Sequence, residues 1–240
     1  MKAMIKKIPF AQQGYRIFRN LFALYSSSSY SQEGEDLILK RIFEGQKRGF
    51  YVDIGAHHPY RFSNTFLFYK QGWNGINIDA MPNSMRLFKL LRPRDINIES
   101  PIGKDQESLQ YFSFNEPALN TFDQTRVEKI LQNPSYKLLK TYTLKINSLD
   151  KILSQHIKND RKIDFMSIDV EGLDLEVLQS NDWTKYRPKI LLVEKLSTDS
   201  RGGGIQEILS SPLHSFLESQ QYEFFAKTFN TLFFKDKEQM

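Results

Sequence analysis

The chain has 240 residues, 40% of them hydrophobic and 25% charged. That suits one folded domain with an appended arm and argues against two full domains or a disordered chain. Cysteine is absent, which excludes a disulfide framework, a thiolate zinc site, an iron–sulfur cluster and a cysteine nucleophile together. Of the 33 lysines and arginines, Lys2, Lys6, Lys7, Arg16 and Arg19 fall in residues 1–30, which hold no acid; the other 28 are matched by 28 acids. The body of the chain is neutral and offers no nucleic-acid surface.

Residues 1–30 read as a basic arm. Ile17, Phe18, Leu21, Phe22 and Tyr25 recur at helical spacing, with Arg16, Arg19 and Asn20 elsewhere on the turn. Such a helix lies on an anionic membrane, docks on a partner, or, the plainer expectation, packs its apolar face on the domain behind it. Gln12, Gln13, Arg16 and Arg19 interrupt any apolar signal-peptide core, and no run approaches the ~20 apolar residues of a spanning helix. A cytoplasmic protein is expected, with peripheral contact at the inner membrane face as the arm's alternative. Ser26–Ser29 is a polar joint between arm and domain.

From residue 31 strands and helices alternate. Ser31 is placed to cap a helix with Glu33, Glu35 and Asp36 in its first turn and Leu37, Ile38 and Ile42 on its apolar face. Phe50 to Ile54 reads as a buried strand closing on Gly55. Ser63 and Asn64 offer a cap for a helix through Phe66, Leu67 and Tyr69. Gly75 to Asp79 is a second strand, Pro82 opens the next helix, and Ile96 to Ile98 is a third strand. Residues 105–145 break the rhythm with no clear helix–strand unit. Ser148 to Ile157 is helical, Ile163 to Ile168 is a fourth strand ending at Asp169, and a helix through Leu173, Leu175 and Leu178 follows. Lys189 to Val193 is a fifth strand and 205–219 a helix. Tyr222 to Ala226 and Thr231 to Phe234 lie too close for a helical crossover, so they pair antiparallel around Asn230.

This order predicts an α/β fold, a doubly wound and mostly parallel sheet with helices on both faces. Ligands of such sheets bind beyond the carboxyl ends of the strands. Asp53, Asp79, Glu99, Asp169 and Glu194 all stand at or beside those ends. Asp53-Ile-Gly55-Ala56 allows a tight turn but is not a G-x-G-x-x-G fingerprint, and no Gly-Lys-Ser/Thr of a P-loop occurs. Gly202-Gly203-Gly204 follows the fifth strand and reads as a flexible loop. An acid just before the glycine would repel a pyrophosphate, so the ligand brings positive charge or hydroxyl and amine donors. Asp79 is placed to take a ribose diol.

Five segments in order carry a family resemblance: Tyr30-Ser-Gln-Glu-Gly-Glu-Asp36, Asp53-Ile-Gly-Ala-His-His-Pro59, Ser63-Asn-Thr65, Gly72-Trp-Asn-Gly-Ile-Asn-Ile-Asp-Ala-Met-Pro82 and Ile168-Asp-Val-Glu-Gly-Leu-Asp174. Together the chain resembles the FkbM-type S-adenosylmethionine-dependent methyltransferases over roughly residues 30–235. The resemblance implies a Rossmann-like class I methyltransferase fold, a seven-stranded sheet with one antiparallel strand. It also implies O-methylation of a small-molecule or glycan acceptor, such as a sugar hydroxyl of a surface polysaccharide precursor. In that pattern Asp53, Gly55 and Ala56 lie by the methionine moiety and Asp79 holds the ribose. Ala80 and Met81 run along adenine, with Ser100 and Pro101 on its other side. Ser63 and Asn64, at a helix N-terminus, take the methionine carboxylate.

Methyl transfer needs the acceptor aligned and its proton removed. Asp169 is the first choice of base, with His57, His58, Glu171 and Glu194 as alternatives; His156 and His214 sit on helices away from the strand ends. Some sugar methyltransferases of related fold use a divalent ion, for which Asp169, Glu171 and Glu194 supply oxygen ligands suited to Mg²⁺. Two other readings stand beside this one: a binding protein on the same fold, and a nucleotide-sugar glycosyltransferase using the Asp-Val-Glu segment, which leaves Asp53 and Asp79 unexplained. The acceptor is expected to be read by the 105–145 region, the arm and the loop at 197–204. Tyr111, Phe112, Phe114, Phe122, Tyr136 and Tyr142 either stack on sugar faces or pack an accessory hairpin. Asn120-Thr121-Phe122 also resembles a family motif without an assigned role.

Overall fold

Phe50–Ile54 is buried at all five positions, which requires a strand on each side and a layer on each face. The computed structural model describes residues 9–22, 26–104, 108–158, 161–170, 172–195 and 204–239. Lys2, Lys6, Lys7, Tyr25, Glu171, Gly202 and Gly203 lie outside them. The strands are β1 (Phe50–Ile54), β2 (Asn74–Asp79), β3 (Ile96–Glu99), β4 (Leu109–Phe114), β5 (Leu138–Leu144), β6 (Ile163–Ile168), β7 (Pro188–Glu194), β8 (Tyr222–Lys227) and β9 (Thr231–Asp236). The helices are α1 (Pro9–Leu21), α2 (Glu35–Ile42), α3 (Phe66–Lys70), α4 (Met85–Leu91), α5 (Gln124–Ile130), α6 (Leu149–His156), α7 (Asp174–Gln179), α8 (Ile205–Leu209) and α9 (Pro212–Ser219).

Seven strands form one sheet in the order β3-β2-β1-β6-β7-β9-β8. β9 alone runs antiparallel to its neighbours, inserted between β7 and β8. The sheet is therefore the mostly parallel, seven-stranded one expected. On one face Val52, Ile54, Ile78, Met166, Ile168 and Val193 pack with Leu149, Leu153, Val177 and Leu217. On the other, Tyr51, Phe165, Leu192 and Phe233 pack with Leu39, Phe43, Phe68 and Trp73. Each such side chain contributes about 1.5–3 kcal/mol by leaving water.

Some boundaries differ from the reading of the sequence. Ser31 does not cap α2. Gly34 adopts a left-handed φ of 87° and the helix starts at Glu35, while Ser31 Oγ reaches forward to Asp36. The single helix expected over 205–219 is two, because Ser211 caps α9 by accepting the N–H of His214 and Pro212 cannot continue α8. The 105–145 region holds β4 and β5, paired antiparallel in their own two-stranded sheet, with α5 between them. Asp123 caps α5 by accepting the Thr125 N–H at 2.8 Å. Phe112 and Phe114 pack on Val127 as the core of this unit and do not face a ligand. Among the described residues of the arm the expected packing on the domain is not seen: Ile17, Phe18, Leu21 and Phe22 are 50–75% exposed, while Tyr25 lies outside the described residues. Among the described residues no helix is long and apolar enough to cross a membrane.

Candidate active site

β1 hands the chain to its neighbours at Gly55. Its N–H and that of Ala56 donate to the Ile78 carbonyl at 2.9 and 3.0 Å, and Asp169 N–H donates to the Ile54 carbonyl at 2.9 Å. Gly55 has φ +81°, and a Cβ there would stand 1.7 Å from the Asp169 carbonyl oxygen. Only glycine satisfies both the angle and the contact. The ends of β1, β2 and β6 thereby converge.

Asp79 closes β2 in this junction. Its two carboxylate oxygens accept the N–H of His57 at 2.9 Å and of Met81 at 2.8 Å. Burial raises its pKa, and those two N–H donors oppose the rise. His57 takes a left-handed φ of 51°, and its buried Nε2 has no hydrogen-bond partner among the described residues. Burial, then the nearby Arg61 cation, lower the His57 pKa, so its imidazole is neutral at pH 7.

A cleft holding about 820 Å³ of space, solvent included, opens over these strand ends. Of the residues anticipated from sequence, Gly55, His57, Asp79, Ala80, Ser100 and Asp169 line it. The 105–145 region adds Tyr111, Asn120 and Phe122, with the Tyr111 and Phe122 rings 4.8 Å apart; Tyr136 and Tyr142 do not line it. A smaller polar recess adjoins it, lined by Glu35, Asn64, Ser167, Asp169, Glu194 and Thr231 among others. Asp169 belongs to the walls of both. Gln32 and Phe62 also line both, and sequence reasoning gave neither a role. The signal for Gln32 was its place in the Tyr-Ser-Gln-Glu segment; a loop aromatic such as Phe62 carries none.

The other anticipated residues work behind the walls. Asp53 is buried and accepts the Thr65 hydroxyl at 2.8 Å, and Thr65 in turn accepts Arg92 Nη2 at 2.9 Å. Ser63, expected at a ligand carboxylate, is 2% exposed and accepts the Phe66 N–H at 3.1 Å, while the cap position of α3 is Thr65. Ala56 packs on Met85 and Phe88. Met81 Sδ accepts the Asn120 side-chain amide at 3.4 Å, tying the 105–145 unit to the turn after β2. Pro101 is buried and its carbonyl accepts the Asn147 N–H. His58 is a turn residue, its Nδ1 accepting the Tyr60 and Arg61 N–H groups at 3.3 and 3.1 Å. Asn64 donates to Ser167 Oγ at 2.9 Å inside the recess.

Asp169 and Glu194 both line the recess, where a side-chain hydrogen bond joins them. The Asp169 side chain is exposed toward the open cleft; desolvation by the surrounding protein raises its pKa, the Glu194 bond and Arg126 oppose the rise, and the Glu35 and Asp79 charges add to it. The result is a carboxylate of raised basicity on the wall between two chambers. Among the described residues no three His, Asp or Glu side chains gather as a metal site.

Asp174 anchors the turn after β6, accepting the Val170 and Gly172 N–H groups at 3.1 and 3.2 Å. Burial, then the Asp169 charge, push its pKa up to about 7, and burial pushes Asp53 up to about 6. An acid whose folded pKa exceeds its unfolded one binds more protons when folded. Its stabilising contribution is complete below pH ~4 and is lost as pH rises to about 7. Urea midpoints at pH 5 and pH 8 test this: the wild type should be weaker at pH 8, and Asp174→Asn should narrow the gap. An unchanged gap would place the pH dependence on other groups.

The fold and cleft define a doubly wound α/β protein with an open site at its strand ends. Residues 53–224 match the family model described as the Methyltransferase FkbM domain, and the chain belongs to that family of methyltransferases. That sets aside the glycosyltransferase reading. No curated protein sequence matches the chain. Among solved structures it is similar to a TehB-like SAM-dependent methyltransferase from Corynebacterium glutamicum, at 12% identity and a TM-score of 0.42, covering 96% of this chain and 100% of that one.

Proposed function

We propose that the cleft binds S-adenosylmethionine and that the enzyme methylates a hydroxyl of a sugar, with surface-polysaccharide precursors as the acceptor class. The observation that carries this reading is Asp79, a half-buried carboxylate at the end of β2 facing an open cleft. Each of its oxygens accepts one backbone N–H and keeps a further lone pair for a ribose hydroxyl. Ile78, Ala80 and Ile102 offer an apolar slot for adenine, with Ser100 at its edge. His57 Nε2, buried without a partner among the described residues, suits a polar group at the methionine end. When bound, S-adenosylmethionine supplies a methyl carbon activated by its sulfonium.

The remaining work falls to the chain. The acceptor oxygen bonds to the methyl carbon as the carbon–sulfur bond breaks, and the hydroxyl proton passes to Asp169. The recess supports a hydroxylated acceptor, since Asn64, Ser167, Glu194 and Thr231 are hydrogen-bonding groups. Tyr111 and Phe122 suit the face of a sugar ring and exclude water. Calorimetry with S-adenosylhomocysteine tests the donor site. The wild type should bind, and Asp79→Ala should bind about 10- to 100-fold more weakly, since a buried diol loses its charged acceptor. No binding by the wild type would overturn the reading. Labelled S-adenosylmethionine presented with nucleotide-sugars and lipid-linked glycans then tests the acceptor class.

A further inference from the structure

We propose that the N-terminal arm docks on an anionic lipid bilayer, joined by an aromatic rim beside the cleft, so that the cleft opens toward the membrane surface. α1 sorts its residues by chemistry. Tyr15, Ile17, Phe18 and Leu21 fall on one side, with Phe22 continuing the stripe, while Gln12, Gln13, Arg16 and Asn20 fall on the other. The apolar side faces solvent, with Leu21 exposed by 75% and Phe22 by 63%. An exposed apolar stripe made of Ile17, Phe18, Leu21 and Phe22 on a helix requires a cover.

Charge identifies the cover. The arm's five cations stand without a single acid among residues 1–30, the complement of an anionic headgroup layer. An apolar protein groove would leave those charges without a role.

The path of the chain supplies a second, independent observation. Tyr30 accepts the Ser63 N–H at 3.0 Å and donates its own N–H to Asp36 at 2.8 Å. The arm therefore leaves the domain beside the turn after β1, at the carboxyl edge of the sheet where the cleft opens. Tyr60 and Phe62 in that turn are exposed by 47% and 41%, and Phe229, between β8 and β9, by 50%. Glu33 holds that second turn to the start of α2 by accepting the Asn230 N–H at 2.8 Å. Aromatic side chains on one edge, next to a basic amphipathic helix, match the headgroup boundary of a bilayer.

The test is co-sedimentation of the full chain with vesicles of phosphatidylglycerol mixed with phosphatidylcholine, and of phosphatidylcholine alone. The wild type should pellet with the anionic vesicles and about tenfold less with the neutral ones. Raising salt from ~0.05 to ~0.5 M should weaken pelleting by about tenfold or more. Phe18→Asp combined with Leu21→Asp should abolish it, and Phe229→Ser should weaken it while leaving S-adenosylhomocysteine affinity unchanged. Failure of the wild type to pellet, or equal pelleting of the double variant, overturns the proposal. So does a wild-type dimer that the double variant dissolves, since a second copy would then cover the stripe. A double variant that melts lower than the wild type also overturns it, because the stripe would then cover the domain itself.

Discussion

Asp169→Asn lowers turnover by about 10²- to 10⁴-fold while leaving the melting temperature and S-adenosylhomocysteine affinity near those of the wild type. Asparagine keeps the shape and an acceptor oxygen but cannot take up the hydroxyl proton. The residue stands on the wall common to cleft and recess, where donor and acceptor must meet. Desolvation by its surroundings raises its pKa, so wild-type turnover should climb with pH through a limb above the usual carboxylate range. That limb should vanish in the variant. Steady-state rates across pH decide the matter, and unchanged turnover in Asp169→Asn would assign the residue to structure.

The second large effect is on stability. Arg92 is fully buried behind the cleft. Its guanidinium donates to Asp95 at 2.8 Å, to the Tyr51 hydroxyl at 2.7 Å and to Thr65 at 2.9 Å, and through Thr65 it reaches Asp53. Arg92→Met leaves Asp95 and Asp53 buried without their cation. The expected loss is about 3–5 kcal/mol, the range for breaking one side of a buried ion pair. Read as a melting temperature in a chain of this size, that is about 6–20 °C. Arg92→Lys should recover only part of it, because one ammonium cannot serve Asp95, Tyr51 and Thr65 in their separate directions. Wild-type stability in Arg92→Met would show that the three partners satisfy one another without it.

The same network explains how far the sequence could be read. β1, β2, β6 and β7 are buried on both faces, so their apolar runs were legible, and the strand-end rule then found Asp79, Ser100 and Asp169. Ser63, Ala56 and His58 sit within a few residues of that junction, but their side chains point inward or along the turn. Periodicity gives direction in strands and helices and none in loops. α5 was illegible because Val127 is its one buried residue, leaving no apolar stripe to read. The start of α2 was misplaced because the left-handed turn at Gly34 outweighs the cap available at Ser31. Gln32 and Phe62 reach the site from loops; the Tyr-Ser-Gln-Glu segment marked Gln32, whereas only the folded chain reveals Phe62.

The clasp between the two ends of the domain sets an order of events during biosynthesis. Every residue lining the cleft lies between Gln32 and Leu173, whereas the recess also needs Glu194, Asn230 and Thr231. Glu35 accepts the Thr231 hydroxyl at 3.0 Å across 196 positions of chain. A ribosome delivers those partners last, at about 5–20 residues per second from the N-terminus. The cleft's lining is thus complete in the chain well before the closing hairpin delivers the last walls of the recess, Asn230 and Thr231.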